Sequence, residues 1–164
     1  MEDLRFMEAS GPLKASLTND YLFRALVQRN HRVLIALLCV LLHIGEDTIF
    51  SARVANPIIL GDDPGEESVI PEIQITYRIR SKAYTGRFPE RLLLYASGIP
   101  RVIQNEKNGN PFHEKDWKAF FKAATWEELQ ELSDGKPVLR EAAMTAYELI
   151  SDEDVLFYCR KYMH

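Results

Sequence analysis

The spacing of apolar residues predicts two helices near the start of the chain. Apolar residues at 22–27 recur at helical spacing behind the capping run at 18–20, which predicts a short helix. A second helix is predicted from about 30 to 43, apolar on almost all sides, with Gly45 as its C-terminal stop. Residues 1–16 show no clear period, and they are predicted to form a loose leader.

The middle of the chain has the pattern of β-strands. Residues 49–60 are predicted to be extended, although Asn56 and Pro57 interrupt any long ladder. From Glu72 to Arg80 apolar and polar residues alternate. Such alternation is typical of a strand with one buried face. Residues 85–86 predict a turn and 88–97 a return strand, so the sheet is expected to be small and mostly antiparallel.

The last third of the chain is predicted to be helical. Aromatic residues at 117–121 mark one helix, and they are interpreted as core rather than as a platform for base stacking. Thr125 and Glu128 have the spacing of a capping box, and Pro137 lies where a further helix begins. A final helix is predicted after Ser151.

The order of these elements is helices, a small sheet and helices again, which predicts an α+β fold. We expect a loose leader at 1–16, an α/β region at 17–110 and a C-terminal helical region at 111–164. A sheet of only two or three strands would leave the leucine-rich helix at 30–43 without full cover. A homodimer that hides this surface is therefore a candidate assembly.

Composition and charge place the chain among ordinary globular proteins. It has 164 residues, 46% hydrophobic and 27% charged, with a formal net charge of −4, so nucleic-acid binding would need a local basic patch. Cys39 and Cys159 lack metal-binding spacing, and they are predicted to be buried free thiols in a reducing compartment.

The N-terminus does not have the pattern of a signal peptide, and the longest apolar run, 33–42, is too short to span a bilayer. A cytoplasmic protein without a membrane partner is expected.

Glu72 and Gln74 are the first candidate site residues. They are two residues apart on a predicted strand, so their side chains point to the same face. An acidic loop that contains Asp62 and Asp63 precedes this strand in the sequence. Mg²⁺ requires only one or two carboxylates in addition to water and phosphate oxygens. The alternative is that the pair forms the solvated face of a hairpin and that the acidic loop is a solvated turn. The residues alone leave both interpretations open.

A group of basic residues on the predicted hairpin is the second candidate. It could follow a DNA backbone, or it could protect an exposed sheet edge from pairing with another chain. Its members are Arg78, Arg80, Lys82, Arg87 and Arg91. Arg24, Arg29 and Arg32 could extend the group if the first helix packs nearby.

Three segments resemble one known family. Residues 17–23, the run 56–61 and residues 116–129 resemble the recombination-promoting nuclease and transposase-like family of the PD-(D/E)xK nuclease superfamily. The resemblance implies a restriction-endonuclease-like core and magnesium-dependent cleavage of double-stranded DNA. On this resemblance Glu72 and Gln74 would be the Glu-x-Gln pair. Asp62 or Asp63 would be the strand aspartate, and Asp20 lies in the first-helix motif.

The middle of the chain departs from the family pattern. Asp62 and Asp63 lie in a Gly/Pro loop rather than inside an apolar strand, so the catalytic core is abridged. In a second alignment, residues 77–80 and 88–91 match a later hairpin of the family, and Glu72 is then not catalytic. Two functions are therefore expected: a DNA endonuclease, or a non-catalytic remnant that binds DNA or another protein.

Overall fold

The computed structural model describes residues 4–78, 89–99 and 114–163, and these form seven helices and one three-stranded antiparallel sheet. The predicted α+β class, with helices at both ends of the chain, is confirmed. The helices are α1 Leu4–Glu8, α2 Asp20–Arg29, α3 His31–Leu42, α4 Glu114–Lys122, α5 Trp126–Leu132, α6 Pro137–Ile150 and α7 Glu153–Lys161. The strands are β1 Ile49–Val54, β2 Glu72–Tyr77 and β3 Arg91–Leu93.

β2 is the central strand of the sheet, which has the order β1-β2-β3. Its side chains alternate between buried and half-buried positions, as predicted, with Ile73, Ile75 and Tyr77 facing the core. β3 is only three residues long and is followed by a short 3₁₀ turn at Ala96–Gly98, so the predicted return strand is shorter than expected. The predicted turn at 85–86 lies outside the described residues.

β1 ends at Val54, just before the interruption predicted at Asn56 and Pro57 within the extended segment 49–60. The cause is the side chain of Asn56, whose Oδ1 accepts a hydrogen bond of 2.9 Å from the backbone N–H of Glu72. Its amide also donates to the carbonyl of Ile70 at 3.3 Å. A side chain therefore replaces the backbone ladder at this point, and the chain leaves the sheet.

α3 is covered on most sides. Seven of its residues between Val33 and Val40 are buried, and the helix packs against α2, α6 and β1. The expected lack of cover for the leucine-rich helix is therefore wrong, because C-terminal helix α6 supplies what the small sheet cannot. Dimerisation itself stays a prediction.

The N-terminal segment is not a loose leader over its described residues. Helix α1 buries the side chain of Phe6, whose exposed fraction is 0%. The centroid of its ring lies 6.2 Å from the ring centroid of Trp126 and 6.5 Å from that of Tyr147. The side-chain amide of Gln130 donates to the carbonyls of Phe6 and Ala9, at 2.8 and 2.7 Å. The prediction failed because a helix of five residues is too short to show a period.

Side chains and one unusual backbone conformation define the helix ends. Asn19 caps α2 and accepts from the N–H of Leu22, in agreement with the predicted capping run. α3 ends at Leu42, and the C-cap is His43 in the left-handed region at φ 56°, so Gly45 is not the stop. At α5 the N–H of Glu128 donates to Thr125 Oγ1 at 3.2 Å, which confirms the predicted cap.

Both cysteines are buried free thiols, as predicted. Burial raises the pKa of each thiol to about 12, in Cys39 with a further contribution from the nearby Glu46 carboxylate. Among the described residues, no single helix is both long and apolar enough to cross a bilayer. The α2–α3 pair reaches that length and composition only jointly, across a bend of 112°.

Candidate nucleic-acid interface and acidic loop

The outer face of the sheet carries the predicted Glu72 and Gln74. Both are half-buried and alternate with core residues along β2, so the structure places them on the same face. The register aligns Arg53 of β1, Gln74 of β2 and Arg91 of β3 in one row across the sheet. Antiparallel neighbours in one row present their side chains to the same side.

Each member of the predicted Glu-x-Gln pair has an arginine partner. Arg53 Nη2 donates to Gln74 Oε1 at 2.5 Å. Arg91 Nη1 donates to Glu72 Oε1 at 3.2 Å, forming an ion pair between two partly exposed side chains. Exposed ion pairs of this kind contribute little stability, so Arg91 can exchange Glu72 for another anion at small cost.

Arg78 extends this basic surface at the end of β2. It is exposed, and its guanidinium lies 5.5 Å from the ring centroid of Phe50. Phe50 occupies the irregularity in the register between Ile49 and Ser51 and is 63% exposed. We call Arg53, Gln74, Arg78 and Arg91 the arginine face. The other predicted basic residues, Arg80, Lys82 and Arg87, lie outside the described residues.

The three arginines that could have extended the basic group do not join this face. Arg24 is fully buried, with an exposed fraction of 0%. Arg29 pairs with Glu148 at 3.2 Å and Arg32 with Glu141 at 3.0 Å, so both lie against helix α6.

Asp63 is held by residues from the far end of the chain. Its carboxylate forms an ion pair with Lys161 of α7 and accepts from the hydroxyl of Tyr162, and it accepts from the N–H of Gly65 at 3.0 Å. The hydrogen bonds from Lys161, Tyr162 and Gly65, in that order, lower the pKa of Asp63 to about 2. The same contacts raise the pKa values of Lys161 and Tyr162.

Helix α2 fixes the rest of this loop through the backbone. The hydroxyl of Tyr21 donates to the carbonyl of Asp62 and accepts from the N–H of Gly61, both at 2.9 Å. Burial raises the pKa of Tyr21. About two turns further along the helix, the amide of Gln28 bonds to both the N–H and the carbonyl of Ile58, at 3.1 and 2.6 Å. The loop is therefore anchored to α2 and to the C-terminal segment.

In the described part of the chain, the predicted acids line different cavities. Asp62 and Asp63 line a cavity of about 380 Å³ at the loop, together with Asn56. Asp20 lines another cavity, of about 360 Å³, with Lys14 and Arg160. Glu72 lines neither.

The described residues offer weak support for the predicted magnesium site. Within 4–78, 89–99 and 114–163 there is no group of three or more His, Cys, Asp or Glu residues placed to hold a metal ion. Two of the predicted ligands, Glu72 and Asp63, already pair with cationic side chains. Glu72, Asp62 and Asp63 remain the candidate ligands, and their role stays a prediction.

Some residues at these sites could have been found from the sequence. Arg53 occupies an outward position in an alternating strand, and counting the alternation through β1 would have added it to the basic group. Tyr21, Lys161 and Tyr162 carry no local signal, because their partners lie far away in the sequence.

Comparison of this chain with protein-family models, with curated proteins and with solved structures finds no match. The similarity to the nuclease family therefore remains a resemblance carried by residues 17–23, 56–61 and 116–129.

Proposed function

We propose that this chain is a DNA-acting protein of the recombination-promoting nuclease type, and that its arginine face binds the sugar-phosphate backbone of double-stranded DNA. The observation that carries the proposal is the row of Arg53, Gln74 and Arg91 across three paired strands. Arg78 adds a third guanidinium, and Glu72 is the acid paired within this surface. In a chain of net charge −4, this local excess of positive charge supplies the electrostatic attraction that DNA binding requires.

The geometry suits a backbone contact. Because neighbouring strands lie about 4.8 Å apart, the Cα atoms of Arg53 and Arg91 are about 10 Å apart on a rigid support. An arginine can donate two parallel hydrogen bonds to a phosphate. Gln74 between them offers an amide to the same backbone. Contacts of this kind position a protein on DNA without reading its sequence.

The first experiment measures duplex binding by gel shift at increasing salt concentrations. The double variant R53Q/R91Q is compared with R29Q/R32Q, which removes two exposed arginines from the α6 side of the protein. We expect the sheet variant to bind at least about tenfold more weakly and its log–log salt slope to become about two units shallower. The helix variant should bind like the wild type. Equal losses in both variants, or no shift of the duplex by the wild type, would rule out the arginine face.

Magnesium-dependent cleavage is the second candidate function, and one observation favours it. Glu72 and Gln74 lie on the outer face of the central strand β2, which is the face that the duplex would contact. A bound Mg²⁺ would supply a nucleophilic hydroxide and neutralise charge on the phosphate. Arg91 would first have to release Glu72, for example by transferring to a phosphate of the bound DNA.

Plasmid nicking tests this second candidate. Wild-type protein should nick supercoiled plasmid with Mg²⁺ and lose this activity in EDTA. The E72A variant should be at least about a hundredfold slower, because a metal ligand is removed. E141Q, which removes an acid on helix α6, serves as the matched control and should retain activity. If the wild type binds the duplex but leaves the plasmid intact, the binding function stands alone.

A further inference from the structure

The irregularity in β1 turns the side chain of Phe50 out of the core. Strict alternation back from the buried Ala52 and Val54 would place position 50 on the inward face of the strand. The register shifts between Ile49 and Ser51, however, so Ile49 is buried instead and Phe50 is 63% exposed. β-bulges re-aim side chains in this way, often next to functional sites. A large aromatic ring is therefore presented to solvent at the end of the arginine face.

A cation accompanies the exposed ring. The guanidinium of Arg78 lies over Phe50, 5.5 Å from the ring centroid. The backbone N–H of Arg78 donates to the carbonyl of Thr48 at 2.9 Å, which holds the start of β1 and the end of β2 together. The pair thus combines an aromatic surface with a positive charge. These are the two groups that proteins use to bind a nucleotide, one for its base and one for its phosphate.

This pair is within reach of a DNA strand on the arginine face. Phe50 and Arg53 are three residues apart on β1, which corresponds to at most about 10 Å along a strand. The same length is about three nucleotide steps, since each step along one DNA strand is about 3.4 Å. A DNA strand that runs along β1 with a phosphate at Arg53 therefore carries a base at Phe50 about three nucleotides away.

An aromatic ring that stacks needs the face of a base. Within a duplex, neighbouring bases stack on one another, and a protein that separates them pays for the lost stacking. An unpaired base offers its face without that cost, and stacking on aromatic side chains is a general way in which proteins bind single strands. Phe50 therefore suits a position where the DNA strand leaves the duplex.

We propose that Phe50 is a base-stacking residue, and that the preferred ligand of the arginine face is duplex DNA with a single-stranded extension. Arg53 and Arg91 contact phosphates of the duplex, the first unpaired bases lie at Phe50, and Arg78 contacts the phosphate beside them. This role rests on the proposed DNA binding and adds to it the form of DNA that the face prefers.

Anisotropy titrations at constant salt with three DNA ligands test this role. The ligands are a blunt duplex, the same duplex with a single-stranded tail of about ten nucleotides, and a blunt duplex lengthened by as many base pairs. The wild type should bind the tailed duplex at least about fivefold more tightly than either blunt duplex. F50L keeps an apolar side chain without the ring and should lose this preference. F157L removes a ring of similar exposure, 59%, from α7 and should keep it.

The outcomes separate this role from DNA binding itself. Equal binding of tailed and blunt DNA by the wild type, or an undiminished preference in F50L, would overturn the role of Phe50 and leave duplex binding in place. If the wild type binds none of the three ligands, the proposed function fails as well. If F50L weakens blunt and tailed binding equally, the ring inserts between base pairs of the duplex, and the preference for a junction is wrong.

A fluorescent base gives a direct measurement of stacking. 2-Aminopurine at the first unpaired positions should be quenched by saturating wild type and by F50W, which retains an aromatic ring, and much less by saturating F50L. Equal quenching by wild type and F50L would contradict the assignment. Size-exclusion chromatography of the same proteins checks the competing use of the ring as a contact between two copies of the chain. A dimer in the wild type that F50L converts to a monomer would also overturn the proposal.

Discussion

Asp63 obtains its properties from residues at the other end of the chain. Its position in an acidic loop suggests a solvated carboxylate or a metal ligand, but Lys161 and Tyr162 bind it instead. A carboxylate with a pKa of about 2 that is paired with a lysine is a poor ligand for a second cation. The sequence could show the acid but not its partners, because their approach depends on how α7 packs.

This cluster predicts a specific pH dependence of stability. The folded-state pKa of Asp63 is about 2, below the ordinary aspartate value of 3.8, so its contribution to stability is present above pH 3.8 and is lost as pH falls towards 2. The folded-state pKa values of Lys161 and Tyr162 are raised, so their contributions are complete below 10 and are lost at more alkaline pH.

The measurement is urea unfolding between pH 2 and pH 11 for the wild type and for K161M. K161M should show a weaker loss of stability on acidification below about pH 4, since the Asp63 pKa returns towards its ordinary value. K118M, which removes a lysine from α4, is the control. Identical acid limbs in the wild type and K161M would show that the pair does not contribute.

At the scale of helices and strands, predictions succeeded where the signal is local and failed where it is not. The alternation in β2 and the caps at Asn19 and Thr125 were predicted because neighbouring residues determine them. α1 was missed because its five residues are stabilised by docking, not by their own periodicity. The stop of α3 at His43 was missed because a non-glycine residue adopts a positive φ.

The docking of α1 predicts that Phe6 anchors the N-terminal segment. F6A removes a fully buried ring beside Trp126 and Tyr147 and should lower the free energy of unfolding by about 3–5 kcal/mol. M7A alters the next side chain, which is 40% exposed, and should change it by less than about 1 kcal/mol. Urea denaturation distinguishes these values, and a Phe6 effect as small as that of Met7 would mean that the segment is not anchored.

At the scale of the whole molecule, the order of helices and strands could be predicted but their packing could not. The sequence predicts separate regions at 17–110 and 111–164, yet described helices from both sides of that boundary share one core. The rings of Phe23 and Phe121 lie 5.8 Å apart, and the amide of Asn19 donates to the carbonyl of Cys159 at 2.7 Å. Apolar periodicity identifies which face of a helix is buried, but not which other helix covers it.

The same limit applies to the candidate sites. That Glu72 and Gln74 share a face followed from the alternation alone. The cross-strand row with Arg53 and Arg91 depends on the register, which a bulge at Phe50 shifts by one residue. Burial of Arg24 depends on packing against distant parts of the chain such as Asn56, so neither property could be deduced from spacing.

The two buried thiols have a practical consequence for studying this molecule. Thiolates are the species that react with maleimides, and a pKa of about 12 leaves Cys39 and Cys159 almost entirely protonated at neutral pH. A cysteine introduced at exposed Ser51 would ionise about three orders of magnitude more readily. The wild-type background therefore accepts a single fluorophore without removal of its own cysteines.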